Sequence, residues 1–449
     1  MTSLSDAPGF NAPAFLQVHE SGEQVTSLRI NPGKYKIEDV KFKTFPVPWS
    51  SHGYYLSERP SFTLDPLLHA GCYYVQEASS MFLEQALRQT IDLSRPIKVL
   101  DLCAAPGGKS TLIQSLITSD SLLVSNEVIK SRSVILQENS TKWGGANVVV
   151  TSNDPKDFAR LENYFDVIVI DAPCSGSGLF RRDPNLIDEW SEANVLLCSQ
   201  RQQRILADAW PALKNEGILI YCTCSYSVAE DEKVMDWVSD EFSVRNFQLA
   251  IDPQWNIIES FSLKHNVPCY RFYPDKIRGE GFFLSCLKKM DGNDDASRPS
   301  KQKSERLTKA EHEIVAGWID TDHSRVPLHF FRHKEDVIAV PLSLEPAIPF
   351  LQQRLYLRQA GITIGKMART ELIPDHSLAL SGLVNKAITR IKLNREEALQ
   401  YLRKAEVIPL AAQKGWALVE YEGHPLGWVK MLSNRMNNYY PKEWRILKS

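Results

Sequence analysis

The sequence predicts a doubly wound α/β domain, a parallel sheet covered by helices on both faces. Three observations carry this reading. Between residues 97 and 225, short β-branched runs alternate with longer segments of helical spacing, the order that builds a parallel sheet. The runs lack polar alternation, as expected of strands buried on both faces. Each run is also followed at once by a turn signal.

Taken in order, the chain opens with MTSLSDAPGFNAPAF, which lacks the basic flank and apolar stretch of a secretory signal. No run of about 18 apolar residues appears, so no membrane span is expected and the protein is read as cytoplasmic. A soft boundary sets off a small N-terminal α/β domain at 1–90. The main domain, 91–290, takes its strands from IKVLDL (97–102), SLLVSNE (121–127), NVVVTSND (147–154), FDVIVIDAP (165–173) and GILIYCTCS (217–225). KSTLIQSLI and VLLCSQRQQRILADAWPAL carry helical spacing between them, and GFFLSCLKK (281–289) reads as an added edge strand. The polar stretch 288–309 has few large apolar residues, which places a linker at 291–307. A C-terminal region, 308–449, ends in a hairpin turning at Gly423 and a basic, aromatic tail.

Composition narrows the class. A chain of 449 residues exceeds one core, which implies two or three domains, and 43% hydrophobic with 24% charged residues is ordinary for a soluble globular protein. The net charge of −2 excludes a generally sticky polycation and confines nucleic-acid contact to local basic patches. Eight cysteines, irregularly placed at 72, 103, 174, 198, 222, 224, 269 and 286, make no disulfide framework and read as thiols.

The stretch KVLDLCAAPGGKSTL ends like a phosphate-binding loop. Aligned on Gly108-Lys109-Ser110, however, the first glycine of such a loop falls on Cys103, and Pro106 sits inside it. Ala104, Ala105 and Pro106 stand where a nest of backbone N–H groups needs freedom. This weakens the ATPase reading without excluding it. Acids end four successive strands, at Asp101, Glu127, Asp154 and Asp171, crowding the crevice where such sheets bind ligands. Glu127, about 20 residues after the glycines, stands where an acid holds a ribose. An anionic crevice repels a triphosphate and suits a nucleoside cofactor with positive charge, as S-adenosylmethionine has. For Asp154, directly before Pro155, capping a helix has equal claim.

DAPCSGSG (171–178) and YCTCSY (221–226) each place a cysteine just beyond a strand, and those strands are expected to be neighbours. Cys174 and Cys224 then open into one cleft. An isolated cysteine at a strand end is usually a small buried hydrophobe; two converging on a cofactor crevice read differently. Zinc is disfavoured, because no C-x-x-C pair or His/Cys partner accompanies Cys222 and Cys224 at the usual spacing. Beside a methyl donor, a thiolate adding to carbon 6 of a pyrimidine makes carbon 5 nucleophilic, which is covalent catalysis. Lys109 and Arg181 or Arg182 could supply the cations that favour a thiolate. Chemistry alone does not choose which cysteine attacks.

LDLCAAPGGKS, DAPCSGSGLFRRDP and YCTCSYSVAEDE closely resemble the signature motifs of the RNA cytosine-5 methyltransferases of the RsmB/RsmF/NSUN group, and GCYYVQEASSM (71–81) resembles the stretch preceding their catalytic domain. The resemblance implies a Rossmann-like class I methyltransferase fold and S-adenosylmethionine as cofactor. It places cofactor contacts at Cys103, Ala104, Ala105, Pro106, Gly107, Gly108, Lys109, Glu127, Asp154 and Asp171. It makes Cys224 the nucleophile, Cys174 the residue for product release, and Asp171 and Lys109 contacts to the base or its transition state. The tail resembles the PUA-like region of RsmF-type enzymes, and residues 1–90 their N-terminal domain, a ferredoxin-like remnant.

The partner implied is RNA, ribosomal RNA of the small subunit or its precursor, with no metal, no membrane and a monomeric enzyme. From Pro425 to Ser449 there are five Lys or Arg against one Glu, interleaved with Tyr439, Tyr440 and Trp444. That pattern fits phosphate contact and base stacking, while an aromatic core with a solvated rim has equal claim on physical grounds. The RNA contacts expected are Arg181, Arg182, Lys430, Arg435, Tyr439 and Tyr440, with a second basic stretch at Lys34, Lys36, Lys41 and Lys43. A tRNA methyltransferase of the same chemistry, an ATPase and a non-catalytic ribosome-assembly factor are the alternatives.

Overall fold

The computed structural model describes residues 4–291, 304–320, 326–368, 371–405, 414–433 and 435–447. Most of the expected linker, 292–303, therefore lies outside the described residues.

All five apolar runs become strands: Lys98–Asp101 (β1), Leu122–Asn126 (β2), Val148–Thr151 (β3), Phe165–Asp171 (β4) and Leu213–Thr223 (β5). They pair in parallel in the order β3-β2-β1-β4-β5. Chain order reverses between β1 and β4, so the crevice beyond their carboxyl ends is the topological switch point where open α/β sheets take ligands. Gly108–Leu116 (α1) and Lys130–Trp143 (α2) follow β1 and β2; Glu192–Ala209 (α3) and Glu232–Glu241 (α4) flank β5 in sequence. Leu112 and Ile113 of α1 join the core on one face, while Leu206 of α3 and Val234 of α4 join that on the other.

Two extensions differ from the sequence reading. The run 281–289 forms strand Phe282–Lys289, but it is not an edge. One side pairs antiparallel with β5 and the other with Pro268–Phe272, beyond which lies Ile258–Phe261. Its buried Phe283, Leu284 and Cys286 fit an interior position. At the opposite end, Leu357–Ala360 pairs antiparallel with β3, so a strand from the C-terminal region completes the central sheet. Phe331, Ile348, Phe350 and Leu351 from that region pack into the same core as β4.

Before the central sheet, strands Thr44–Pro46, Gly53–Leu56, Ser27–Ile30 and Tyr73–Val75 lie side by side in that order, with antiparallel pairing. Their chain order is strand, helical turn, strand, strand, helix, strand, the split βαβ pattern with its helices reduced to Ile37–Asp39 and Pro66–His69. After it, residues 305–374 contribute a five-stranded sheet, and Thr389–Leu393, Gly415–Tyr421, His424–Met431 and Met436–Asn438 a four-stranded one. The expected hairpin is present: Glu422 (φ 50) and Gly423 (φ 81) make its two-residue turn, both in the left-handed region that such turns require. The first and last sheets share one apolar cluster, in which Leu28, Ile30 and Tyr73 meet Leu399, Val419 and Tyr440. Among the described residues no helix is long and apolar enough to cross a membrane.

Arg29 fastens the N-terminal sheet to the crevice. It is 1% exposed, donates to Gly108 O (3.2 Å), Thr111 O (3.3 Å) and Gln76 Oε1 (2.8 Å), and lies 4.5 Å over the Trp143 ring. Burial lowers its pKa to about 9. Removing this side chain strands several buried acceptors at the start of α1. Arg29→Ala is expected to cost roughly 2–3 kcal/mol of stability, read from urea unfolding of the whole chain. A change within about 0.5 kcal/mol would mean that water replaces these bonds without loss.

Candidate active site

Asp101 ends β1, and residues 102–107 turn from it into α1. Ala104 N–H donates to Asn126 O (2.8 Å), Arg132 holds Ala105 O (2.8 Å) and Asn139 holds Pro106 O (2.8 Å). Gly107 (φ 116) makes the turn in a region that side chains disfavour. A Cβ on Gly108 would come 3.3 Å from the Tyr74 ring. The loop is thus tied to β2 and α2 through its own backbone, and its lysine faces an acid. Lys109 Nζ lies 2.7 Å from Asp171 Oδ2 and 5.1 Å over the Phe282 ring. Burial opposes the Lys109 charge, but Asp171, the Cys222 thiol and Asp101 outweigh it and raise its pKa. A phosphate-loop lysine reaches for phosphate; this one is committed to a carboxylate at the end of β4.

Asp101 is fully buried. One oxygen accepts from Ser110 Oγ (2.6 Å) and the other, Oδ1, has no hydrogen-bond partner. Burial pushes its carboxyl up to about 7, against the Ser110 bond and Lys109; Asp171 and Glu127 push the same way as burial. Glu127 directly follows β2, 3% exposed, accepting Ile129 N–H (2.9 Å) and facing Arg132 Nη1 (3.5 Å). The Cys103 thiol is raised first by burial and then by Asp171, Glu127 and Asp101. Asp101, Glu127 and Asp171 are therefore close enough to act on one another electrostatically. Asp154 caps the helical turn Pro155–Arg160 through Lys156 N–H (3.2 Å), and its charge acts on Asp208.

The two cysteines meet. Cys174 and Cys224 Sγ atoms are 3.1 Å apart, both half-buried and unbridged. Their loops are zipped together: Gly178 N–H donates to Cys224 O (2.8 Å) and Tyr226 N–H to Ser177 Oγ (3.0 Å). A Cβ on Gly178 would stand 2.6 Å from Cys224 O, so only glycine permits that approach. The Cys174 thiol is raised first by its hydrogen bond to Cys224, then by burial and the charges of Cys224 and Glu230. Cys222 is buried beneath them in β5. Among the described residues no group of three or more His, Cys, Asp or Glu is arranged to hold a metal ion.

Several expected RNA contacts change. Arg181 is 9% exposed and forms a buried fork with Glu280 (Nε 3.0 Å, Nη2 2.9 Å), so it neither reaches out to RNA nor stands free to favour a thiolate. Tyr440 is 1% exposed in the shared N- and C-terminal cluster, and cannot stack on a base. Lys34 spends its ammonium on Ala70 O (3.0 Å) and Lys142 O, and burial lowers its pKa to about 8. Lys41 pairs with Glu422 across the interface. Arg182, Lys36, Lys43 and Arg435 are exposed. Tyr439 is 41% exposed and packs edge-on against Trp416 at 4.5 Å, with Lys430 Nζ 5.2 Å over that ring and 3.4 Å from Glu371.

Sequence reasoning passed over the acids directly after the second cysteine motif. Glu230, Asp231 and Glu232 are all buried. Glu230 accepts from Ser175 N (2.7 Å), Ser175 Oγ (2.6 Å) and Ser225 Oγ (2.6 Å). Asp231 accepts from Thr223 Oγ1 (2.7 Å), and Arg271 forks onto Glu232. Nothing in the sequence distinguishes three consecutive acids at a helix start from ordinary dipole compensation. Gln202 of α3, donating to Pro173 O (3.1 Å), gave no sequence signal.

The family model described as 16S rRNA methyltransferase RsmB/F matches residues 89–288. The model for the N-terminal domain of 16S rRNA methyltransferase RsmF matches 1–78, and that for the methyltransferase RsmF PUA domain matches 389–446. A Vibrio parahaemolyticus protein named ribosomal RNA small subunit methyltransferase F is 30% identical over 447 residues, covering 93% of this chain and 90% of that protein. One of the same name from an Enterobacter species is 28% identical, covering 93% and 89%. A solved structure of a methyltransferase homolog protein from Pyrococcus horikoshii is 27% identical, with a TM-score of 0.55, covering 64% of this chain and 94% of that one.

An acid with a raised pKa makes a pH prediction. Asp101 contributes stability fully below about pH 4, and that contribution is lost as the pH rises through about 7. Asp101→Asn does not titrate, so its urea midpoint should gain on that of the wild type between about pH 5 and pH 8. A gap that stays constant across that window would mean that the carboxyl is already ionised in the folded protein.

Proposed function

The chain belongs to the 16S rRNA methyltransferase RsmB/F family, in its RsmF branch, and from that premise we propose that it methylates carbon 5 of a cytosine in small-subunit ribosomal RNA through a covalent Cys224 adduct. It is an S-adenosylmethionine-dependent methyltransferase by family. The observation that carries the finer reading is the 3.1 Å meeting of Cys174 and Cys224 beside the Lys109–Asp171 pair.

The crevice suits the cofactor. Asp101 offers a buried oxygen without a partner, Glu127 stands just beyond β2 where an acid binds ribose hydroxyls, and exposed Val128 and Ile129 offer an apolar face to a nucleobase. Residues 103–109 and Asp171 complete the cradle. When bound, S-adenosylmethionine supplies an electrophilic methyl group on a sulfonium, a cation that three nearby acids favour.

Carbon 5 of cytosine is a weak nucleophile. Cys224 adds to carbon 6, which turns the ring into an enamine and makes carbon 5 reactive. Lys109, held by Asp171, faces the base edge, and its ammonium steadies the negative charge that develops on the ring. After methylation a base, water admitted to the crevice, takes the carbon-5 proton; that electron pair re-forms the carbon 5–carbon 6 double bond and expels Cys224 as a thiolate, with Cys174 in contact with the departing sulfur. The target base reaches this buried pair by flipping out of its stack. Exposed Arg182, Arg435 and Tyr439 supply phosphate contact and stacking.

The trapping experiment uses RNA with 5-fluorocytosine at the target, where the fluorine blocks release. Wild type should form a denaturant-stable adduct and Cys224→Ala should form none, a loss of at least about a hundredfold for removing a nucleophile. If Cys224→Ala still traps RNA while Cys174→Ala does not, the two roles are exchanged. Bisulfite mapping of RNA from cells lacking the protein reads the substrate: a lost mark in tRNA, with small-subunit ribosomal RNA unchanged, would overturn the assignment.

A further inference from the structure

Glu230 is buried beside the thiols, yet the mechanism above gives it nothing to do. A buried carboxylate is costly unless its oxygens are satisfied, and the donors that satisfy this one are unusually placed. Ser175 N–H and Oγ and Ser225 Oγ all donate to it, at 2.7, 2.6 and 2.6 Å. Those two residues directly follow Cys174 and Cys224, on loops from different strands. One side chain thus holds both loops from behind. Gln202 Nε2 lies 3.4 Å from the same carboxylate, and the Glu230 backbone oxygen accepts from Tyr221 (2.7 Å). The next two acids are engaged elsewhere: Arg271 lies 3.2 Å from Asp231 and also pairs with Glu232. Among the described residues no ion pair of Glu230 itself is found, so its charge is answered by neutral donors alone.

We propose that Glu230 is a positioning residue for the thiol pair, fixing the two sulfurs in contact and keeping Cys174 the protonated member when the pair loses its first proton. Two of its three close donors belong to Ser175, so this uncancelled anion stands mainly behind the Cys174 loop, where a second negative charge is costly in a low-dielectric surrounding. The Cys174 S–H then donates to Cys224, which is free to act as the thiolate. The electrostatics agree in direction, since Glu230 is among the groups that raise the Cys174 thiol. This inference rests on the role given to Cys224 above.

The test needs neither RNA nor cofactor, so its outcome is separate from that of the trapping experiment. The full chain is alkylated with iodoacetamide across a pH series, and each cysteine is followed by peptide mass. In the wild type, Cys224 should react at lower pH than Cys174. Glu230→Gln removes the charge and should shift the Cys174 profile down by about one pH unit, roughly tenfold faster alkylation at a fixed pH. Glu230→Asp keeps the charge and should hold the wild-type profile, although its shorter arm cannot reach both serines. A purely structural role would lower the melting temperature of Glu230→Gln and leave the Cys174 profile unmoved, which would overturn the proposal. So would a wild type in which Cys174 reacts first, or an Asp variant that shifts like the Gln variant. The wild-type order and the Asp variant keep the test decisive if Glu230→Gln does not fold.

Discussion

Three consecutive carboxylates buried at the start of α4 constrain everything around the site. Each must find donors, because an unpaired buried charge is among the most costly features a fold can carry. Glu230 finds the serines behind both cysteines, Asp231 finds Thr223 in β5, and Glu232 finds Arg271 and Ser260 in the antiparallel extension. Satisfying them fixes the loop after β4, the loop after β5 and two strands beyond it in one arrangement. The sulfur contact is a consequence of that arrangement.

A second constraint runs through the other half of the crevice. Asp101, Glu127 and Asp171 are gathered at the switch point with Lys109 among them, and Lys109 is spent on Asp171. What remains is Asp101, whose buried oxygen has no partner and whose carboxyl a nearby cation would help to ionise. Such a place welcomes a cationic nucleoside and repels a triphosphate, although its sequence ends in Gly-Lys-Ser. The decisive difference from a phosphate loop lies in where the lysine points.

The flanking regions are built into this machinery and do not merely hang from it. Arg29 reaches from the N-terminal sheet into the start of α1, Leu357–Ala360 completes the central sheet, and the first and last sheets share a core. That sharing explains which basic and aromatic residues are lost to RNA. Tyr440 and Lys34 are consumed at the junction, while Tyr439, one residue away, stays at the surface. Charge and aromatic content alone give neighbouring residues equal standing; burial separates them.

The five strands of the parallel sheet, the turn at Gly423 and the convergence of Cys174 with Cys224 were legible in the sequence. Each follows from local rules: β-branched runs make buried strands, a two-residue turn needs positive φ, and adjacent strands end in one crevice. Tertiary structure alone decided that 282–289 lies inside the sheet, that Arg181 answers Glu280, and that Glu230 braces both cysteine loops. The reason is common to all three. Sequence records which groups can donate, accept or carry charge, but a partner 50 or 100 residues distant is chosen only when packing brings the two together and denies them water.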